Sequence, residues 1–301
     1  MWEISEEMIA YQSVSELVSI AQKERTTIGK ICIADQAKLL QTSEEVIMKQ
    51  MEQNFDVMLE SAAWGQKAGR RSVSGLTGDE GSRMIAYQAG GNTLMGPMMT
   101  SAMGIALAVS NCNAAMGKIV ASPTAGSCGI LPGCLIPMYQ DRGVEKERIV
   151  QSMFTAGAFG MVIASNACVA GAEGGCQAEC GSAAGMAGAA LVELQGGTPA
   201  QCADALAIAL VSQMGLVCDP VAGLVEIPCT KRNASGVAIA FASADMALAG
   251  IRAKIPADEC IAAMKEVGDA MSRSLKETAE GGLAATPTGK ELRKQIMGEG
   301  I

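Results

Sequence analysis

The sequence predicts an all-α protein, and three observations carry that prediction. Aromatic residues make up only 3% of the chain, whereas sandwiches and barrels draw on aromatic and β-branched residues for their strands. No unit of strand, glycine-rich loop and helix of the dinucleotide-binding kind is present. Helix start and stop signals, by contrast, recur along the chain. The expected architecture is a single all-helical catalytic domain spanning residues 1–301. It has a buried Ala/Gly-rich helical core, amphipathic outer helices and glycine-rich active-site loops.

Residues 1–65 have ordinary surface-helix character and are expected to form an N-terminal helical layer. Within them Thr42 and Ser43 precede Glu44 and Glu45, and Ile47, Met51, Phe55, Met58 and Leu59 follow at helical spacing, the pattern of a capped amphipathic helix. Residues 66–99 contain Gly69, Gly75, Gly78, Gly81, Gly90 and Gly91. That is too many glycines for one helix, so a loop-rich segment lining the site is expected.

From Thr100 to about Gly250 the chain is richer in Ala and Gly than at either end. Residues 101–109, 161–171 and 235–250 are almost membrane-like, yet Asn111, Glu173 and Asp245 interrupt them before about 18 apolar residues accumulate, so no span is expected. Gly181, Gly185 and Gly188 allow helix backbones to approach closely. Thr198 and Pro199 open a helix that runs until Gly215, and Pro256 opens another carrying Ile261, Met264, Val267 and Met271.

Composition narrows the function. The net charge of −8 comes with no basic stretch interleaved with aromatic residues, so nucleic acid is not an expected partner. The first seven residues contain Glu3, Glu6 and Glu7 where a secretory signal needs basic residues, so a cytoplasmic protein is expected. Eleven cysteines in such a compartment are thiols, not a disulfide framework. Singly, each is as readily a packed small hydrophobe as a ligand. The chain contains no histidine, which removes the commonest general base and the commonest zinc ligand.

Three segments carry candidate chemistry. Residues 122–133 form a turn-rich run in which Pro123, Gly126 and Gly129 enforce a tight loop, and the hydroxyls of Ser122, Thr124 and Ser127 with free amides suit an anion such as a carboxylate. A plain connector between helices has the same composition. In residues 173–181 glycines surround Cys176, and in residues 218–229 prolines stand beside Cys218 and Cys229. Such neighbours allow close backbone approach to a bulky inorganic group. Neither segment has the close C-x-x-C spacing of zinc ribbons or ferredoxins, so spacing alone leaves a cluster plausible and no more.

The phrases Pro123-Thr124-Ala125-Gly126-Ser127-Cys128-Gly129-Ile130 and Ala172-Glu173-Gly174-Gly175-Cys176-Gln177-Ala178-Glu179-Cys180-Gly181 closely resemble the alpha chain of iron-sulfur-dependent L-serine dehydratases. So does residues 218–229, Cys-Asp-Pro-Val-Ala-Gly-Leu-Val-Glu-Ile-Pro-Cys, followed by Arg232-Asn233-Ala234. The resemblance covers about residues 60–290, with Gly90-Gly91-Asn92 and Thr286-Pro287-Thr288-Gly289 included. It implies a 4Fe-4S cluster held by Cys176, Cys218 and Cys229, whose separation by 41 and then 10 residues is the family's. The fourth iron, left without a cysteine, is then the Lewis acid that assists departure of the substrate hydroxyl. Pyruvate and ammonia are the implied products, in amino-acid degradation and gluconeogenesis.

The resemblance also implies a partner. The family's histidine-bearing loop lies on a domain not seen in this sequence, so a hetero-oligomer with a beta subunit supplying that histidine in trans is expected. The substrate L-serine is assigned to Asn92, Ser122, Thr124, Gly126, Ser127 and Asn233, and catalysis to Lys231 and Arg232, though an ion pair accounts equally well for Arg232. An L-cysteine desulfidase of the same fold and a non-catalytic iron-sulfur scaffold or redox-sensing subunit are the rival readings.

Overall fold

A computed structural model describes residues 11–298; the acidic residues Glu3, Glu6 and Glu7 lie outside them. Among the described residues there are thirteen α-helices and no strand, only an isolated bridge between Cys218 and Lys276. The all-α expectation therefore holds.

Three capped helices begin the chain: α1 (Val14–Lys23), α2 (Ile28–Leu39) and α3 (Glu44–Gly65), with the side chains of Ser13, Thr27 and Ser43 accepting first-turn amides. Each cap satisfies an N–H that the helix leaves open. α2 packs on α7 (Lys146–Asn166), and α3 packs on α5 (Gly96–Ala114), so the N-terminal layer lies directly against the central helices.

Residues 66–99 differ in part from the loop-rich expectation, because α4 (Glu80–Ala89) forms between Gly78 and Gly90. Its only internal glycine, Gly81, sits in the first turn, where its amide donates to Asn111 Oδ1 at 3.1 Å. A glycine there interrupts little of the hydrogen-bond ladder. Likewise the turn-rich run ends at Gly129, and Pro132 and Gly133 fall in the first turns of α6 (Ile130–Gln140). Proline lacks only an N–H that an initial turn does not use.

The Ala/Gly-rich centre is the core. α9 (Ser182–Leu194) is buried along almost its whole length and contacts α6, α7, α10 (Pro199–Gln213) and α11 (Cys229–Leu248). Gly185 lets α9 close on α10: a Cβ there would meet Leu206 Cδ1 at 2.6 Å. Thr198 and Gln201 form a reciprocal capping box on α10. α7 is long and apolar enough to cross a membrane, but 67% of its apolar window is buried in this helical stack. α8 (Gly171–Gly174), α12 (Ala257–Ala270) and α13 (Pro287–Met297) complete the order. Pro256 precedes α12 as its cap, and Met271 lies just past its end.

Candidate active site

The three cysteines of the sequence motifs converge from separate parts of the chain. Cys176 follows α8 and Gly175, whose φ of 77° favours glycine, and it precedes a π-helical turn, Gln177–Gly181, that leads into α9. Cys218 lies in the loop after α10, and Cys229 is the first residue of α11. All three are buried. Each of Cys218 and Cys229 is close enough to Cys176 for its charge to raise their pKa values.

Backbone and amide contacts fix these positions. Gln177 is buried, donates to Met264 O at 2.8 Å and accepts from Gly215 N at 2.8 Å, which ties the Cys176 turn to α12 and to the segment leading to Cys218. Cys218 is held on both sides: its N–H donates to Leu275 O at 2.8 Å, and its carbonyl accepts from Glu277 N at 2.7 Å. Glu226 accepts from Ser74 Oγ at 2.7 Å and Thr77 Oγ1 at 2.8 Å, fastening residues 72–77 to the loop that ends at Cys229.

Positions three and four residues beyond Cys229 share its helix face, whereas a position two residues on points away. Arg232 accordingly turns inward. It donates to Val217 O and to Asp219 Oδ1, both at 2.8 Å, and its charge reaches Cys176. Asn233 is 1% exposed and wholly engaged, donating to Gly126 O at 2.7 Å and Cys229 O at 2.9 Å and accepting from Gly129 N at 2.8 Å. Its amide staples the 126–129 loop to α11. Lys231 points away to an ion pair with Glu80 at 3.0 Å and is 59% exposed.

In the 122–129 loop Thr124 and Gly126 are half-buried, Ala125 is exposed, and Ser127 is fully buried. Thr124 Oγ1 donates to Glu179 Oε2 at 2.5 Å, and Ser127 Oγ lies 3.2 Å from Thr124 Oγ1. Ser122 Oγ is buried with no partner among the described residues. Glu179 Oε1 in turn accepts from Cys218 Sγ at 3.9 Å, so this carboxylate joins the hydroxyl loop to the cysteine group. Asn92 lies apart in the exposed α4–α5 loop, where its carbonyl accepts from Tyr87 Oη at 3.1 Å. No contact links Asn92 to the cysteines among the described residues.

The electrostatics separate Cys176 from the others. A hydrogen bond shared with Cys180, whose sulfur is 3.4 Å away, and the Arg232 guanidinium outweigh burial and hold Cys176 below the usual thiol range. Burial pushes Cys229 up to about 12, and burial with neighbouring negative charge pushes Cys218 higher. Burial likewise raises Glu179, which the Thr124 hydrogen bond only partly offsets.

This donor set fits an iron-sulfur cluster. Three thiols converge in a buried site beside a guanidinium, and two of them stand at helix starts, where the backbone dipole favours negative charge. Glu179, Cys218 and Glu277 also place ligand atoms within 4.8 Å of one another.

Asp219, Glu226 and Gln177 were missed as supporting residues by reading the sequence. The signal was available: Asp219 and Glu226 are acidic residues inside an otherwise apolar, proline-flanked run, and a buried carboxylate needs partners. Beside Ala125 a cleft of about 640 Å³ is lined by Val73, Met116, Leu224 and Ile296, among others. Val73 and Met116 are 76% and 84% exposed, and Leu94, near Asn92, is 98% exposed.

The sequence matches the serine dehydratase alpha chain family over residues 4–284. It is 49% identical to a probable L-serine dehydratase alpha chain of Bacillus subtilis, over 96% of both chains. An L-serine dehydratase alpha chain of Peptoniphilus asaccharolyticus is 42% identical, over 95% of this chain and 98% of that one. An L-serine dehydratase of Streptomyces coelicolor is 45% identical, over 60% of this chain but 40% of its own length.

Proposed function

The chain belongs to the serine dehydratase alpha chain family, and we infer from this premise that it deaminates L-serine to pyruvate and ammonia as a carbon-oxygen lyase. We propose that Cys176, Cys218 and Cys229 hold a 4Fe-4S cluster for this reaction. The observation that carries the proposal is the burial of these three thiols together against Arg232 and Glu179. When bound, such a cluster supplies a Lewis acid that assists loss of the β-hydroxyl.

The chain's own residues do the remaining work. Arg232 neutralises charge on the cysteine group and, through Asp219, fixes the residue next to Cys218. Asn233 holds the 126–129 loop at the start of α11, so Ser122, Thr124 and Gly126 face the substrate from a fixed backbone while Ser127 supports Thr124. We assign Lys231 to anchoring α4 through Glu80, and give no role in the site to Asn92, which lies exposed in the α4–α5 loop.

The proton transfers that elimination requires have no histidine to use in this sequence. A beta chain contributing one in trans is supported by the name "alpha chain" borne by the Bacillus and Peptoniphilus relatives, and by the longer Streptomyces relative, most of whose length lies outside the match. The exposed apolar side chains Val73, Met116 and Leu94 suit such coverage.

The experiment is iron and sulfide analysis of anaerobically prepared protein, paired with pyruvate formation from L-serine with and without the beta chain. Serine-dependent pyruvate from cluster-loaded complex supports the proposal. Sulfide release from L-cysteine without pyruvate from L-serine supports a desulfidase instead, and a loaded cluster with neither activity supports a scaffold.

A further inference from the structure

We propose that Thr124 and Glu179 form the subsite for the α-ammonium group of the substrate. This deepens the serine-deaminating reading and rests on it. It also reassigns the hydroxyl loop, whose composition alone pointed to a carboxylate.

The direction of the hydrogen bonds is decisive. A threonine hydroxyl has one proton, and that of Thr124 is donated to Glu179 Oε2. Toward any ligand Thr124 Oγ1 therefore offers lone pairs only. Ser127 does not reverse this: it is fully buried, and with Thr124 already donating, the Ser127 proton has Thr124 Oγ1 at 3.2 Å and Thr124 O at 3.5 Å as its acceptors. The side chains of Thr124, from the loop, and Glu179, from the turn after Cys176, thus present a pair of acceptors, one of them a carboxylate. A substrate carboxylate would meet acceptors and like charge, whereas an ammonium group brings three donors and the opposite charge.

Glu179 accepts from Thr124 and Cys218 but has no cationic partner to offset a buried charge. It is 9% exposed, and among the described residues no Lys or Arg lies within ion-pair distance of it; the nearby Arg232 is paired with Asp219 instead. The chain nevertheless keeps room for this side chain from two directions. A Cβ on Gly126 would stand 2.5 Å from Glu179 Oε2, and one on Gly171 would collide with Oε1 and come within 2.9 Å of Cys218 Sγ. Two small residues from different segments thus seat one carboxylate between the hydroxyl loop and a cysteine of the proposed cluster.

The placement suits the chemistry. With Oε1 3.9 Å from Cys218 Sγ, an ammonium group on Thr124 and Glu179 lies next to the cysteine group. The hydroxyl on the neighbouring carbon of the same small molecule is then directed to the reacting centre by a two-carbon tether. A hydroxy acid without an amine has nothing to offer this subsite.

The test uses the cluster-loaded complex with its beta chain and two probes: ethanolamine, which has the ammonium and hydroxyl but no carboxylate, and 3-hydroxypropanoate, which has the carboxylate and hydroxyl but no ammonium. Glu179→Gln keeps the shape and removes the charge. The expected result is at least about a tenfold weakening of ethanolamine binding and a matching rise in KM for L-serine, the scale of one charge-assisted hydrogen bond. Binding of 3-hydroxypropanoate should stay within about twofold or tighten, as expected when a like charge is removed. Thr124→Val should weaken ethanolamine in the same direction and Thr124→Ser should restore it. Equal weakening of both probes, or a selective loss of 3-hydroxypropanoate, overturns the subsite.

Iron content of each variant is measured alongside, and if Glu179→Gln fails to load, the Thr124 pair of variants decides. Binding of both probes is read by calorimetry as well as by inhibition. If the wild-type complex makes no pyruvate from L-serine, the serine reading has failed. Selective weakening of ethanolamine in the variants still upholds the ammonium subsite in that case, and its absence removes it.

Discussion

The guanidinium of Arg232 meets the carboxylate of Asp219 at 2.8 Å, with side chains only 16% and 5% exposed. Asp219 uses its other oxygen to accept from Leu283 N at 2.8 Å. This pair therefore fastens Cys218's neighbour to the helix that starts at Cys229 and to the segment before α13. Removing one partner leaves the other charge buried, which costs about 3–5 kcal/mol. Asp219→Asn and Arg232→Met should each lower the melting temperature and the iron bound per chain, with Arg232→Met also losing the cation beside Cys176. Thermal unfolding and iron analysis check this; full iron in Arg232→Met would show that the guanidinium is dispensable to the site.

Cys176→Ser, Cys218→Ser and Cys229→Ser should each abolish cluster assembly and activity. Cys32→Ser and Cys260→Ser should retain both, because Cys32 lies within α2 and Cys260 within α12, where Cys260 donates to Ile255 O. Iron and sulfide per chain decide the assignment, and Cys218→Ser with full iron would refute it.

Loading the site should release protons. Cys229, pushed up to about 12, and Cys218, pushed higher, keep their protons at neutral pH in the metal-free chain, while ligation requires thiolates. Affinity for iron should accordingly fall as pH is lowered. Proton release in weakly buffered solution, followed with an indicator during anaerobic reconstitution, measures it. Cys176 should be the first of the three to react with an alkylating reagent, because Cys180 and Arg232 favour its thiolate. Cys180→Ala should shift that reactivity to higher pH.

Lys231 gives a sharp contrast between anchoring and base catalysis. Loss of a general base typically costs about 10²–10⁴ in rate, whereas a half-exposed ion pair contributes about 0–1 kcal/mol of stability. Lys231→Met is expected to keep turnover within about threefold of wild type, far from the loss of a base.

Burial raises Glu80, but hydrogen bonds from Gly78 N–H and Lys231 outweigh it and leave the carboxyl below its ordinary value. A carboxyl with a depressed folded pKa stabilises the fold above its unfolded pKa and loses that contribution as pH falls through the folded one. The stability gap between wild type and Glu80→Gln should therefore be widest near neutrality and narrow in acid, as urea unfolding at several pH values would show.

The sequence by itself determined the helical class, the Ala/Gly-rich core, the capped starts at Ser43 and Thr198, and the phrases that bring Cys176, Cys218 and Cys229 to notice. These are local signals: caps and periodicity act over a few residues, and each motif is contiguous. It also determined that no histidine is available. Tertiary structure alone decided what the polar residues do. Thr124 faces Glu179 across 55 positions, Asn233 reaches Gly129 across 104 and Lys231 reaches Glu80 across 151. Such partners depend on how whole helices pack, because a side chain's hydrogen-bond direction and burial are properties of its neighbours in space. The same physics formed α4 inside a glycine-rich stretch, and it committed the amide of Asn233 to the backbone and the proton of Thr124 to a carboxylate.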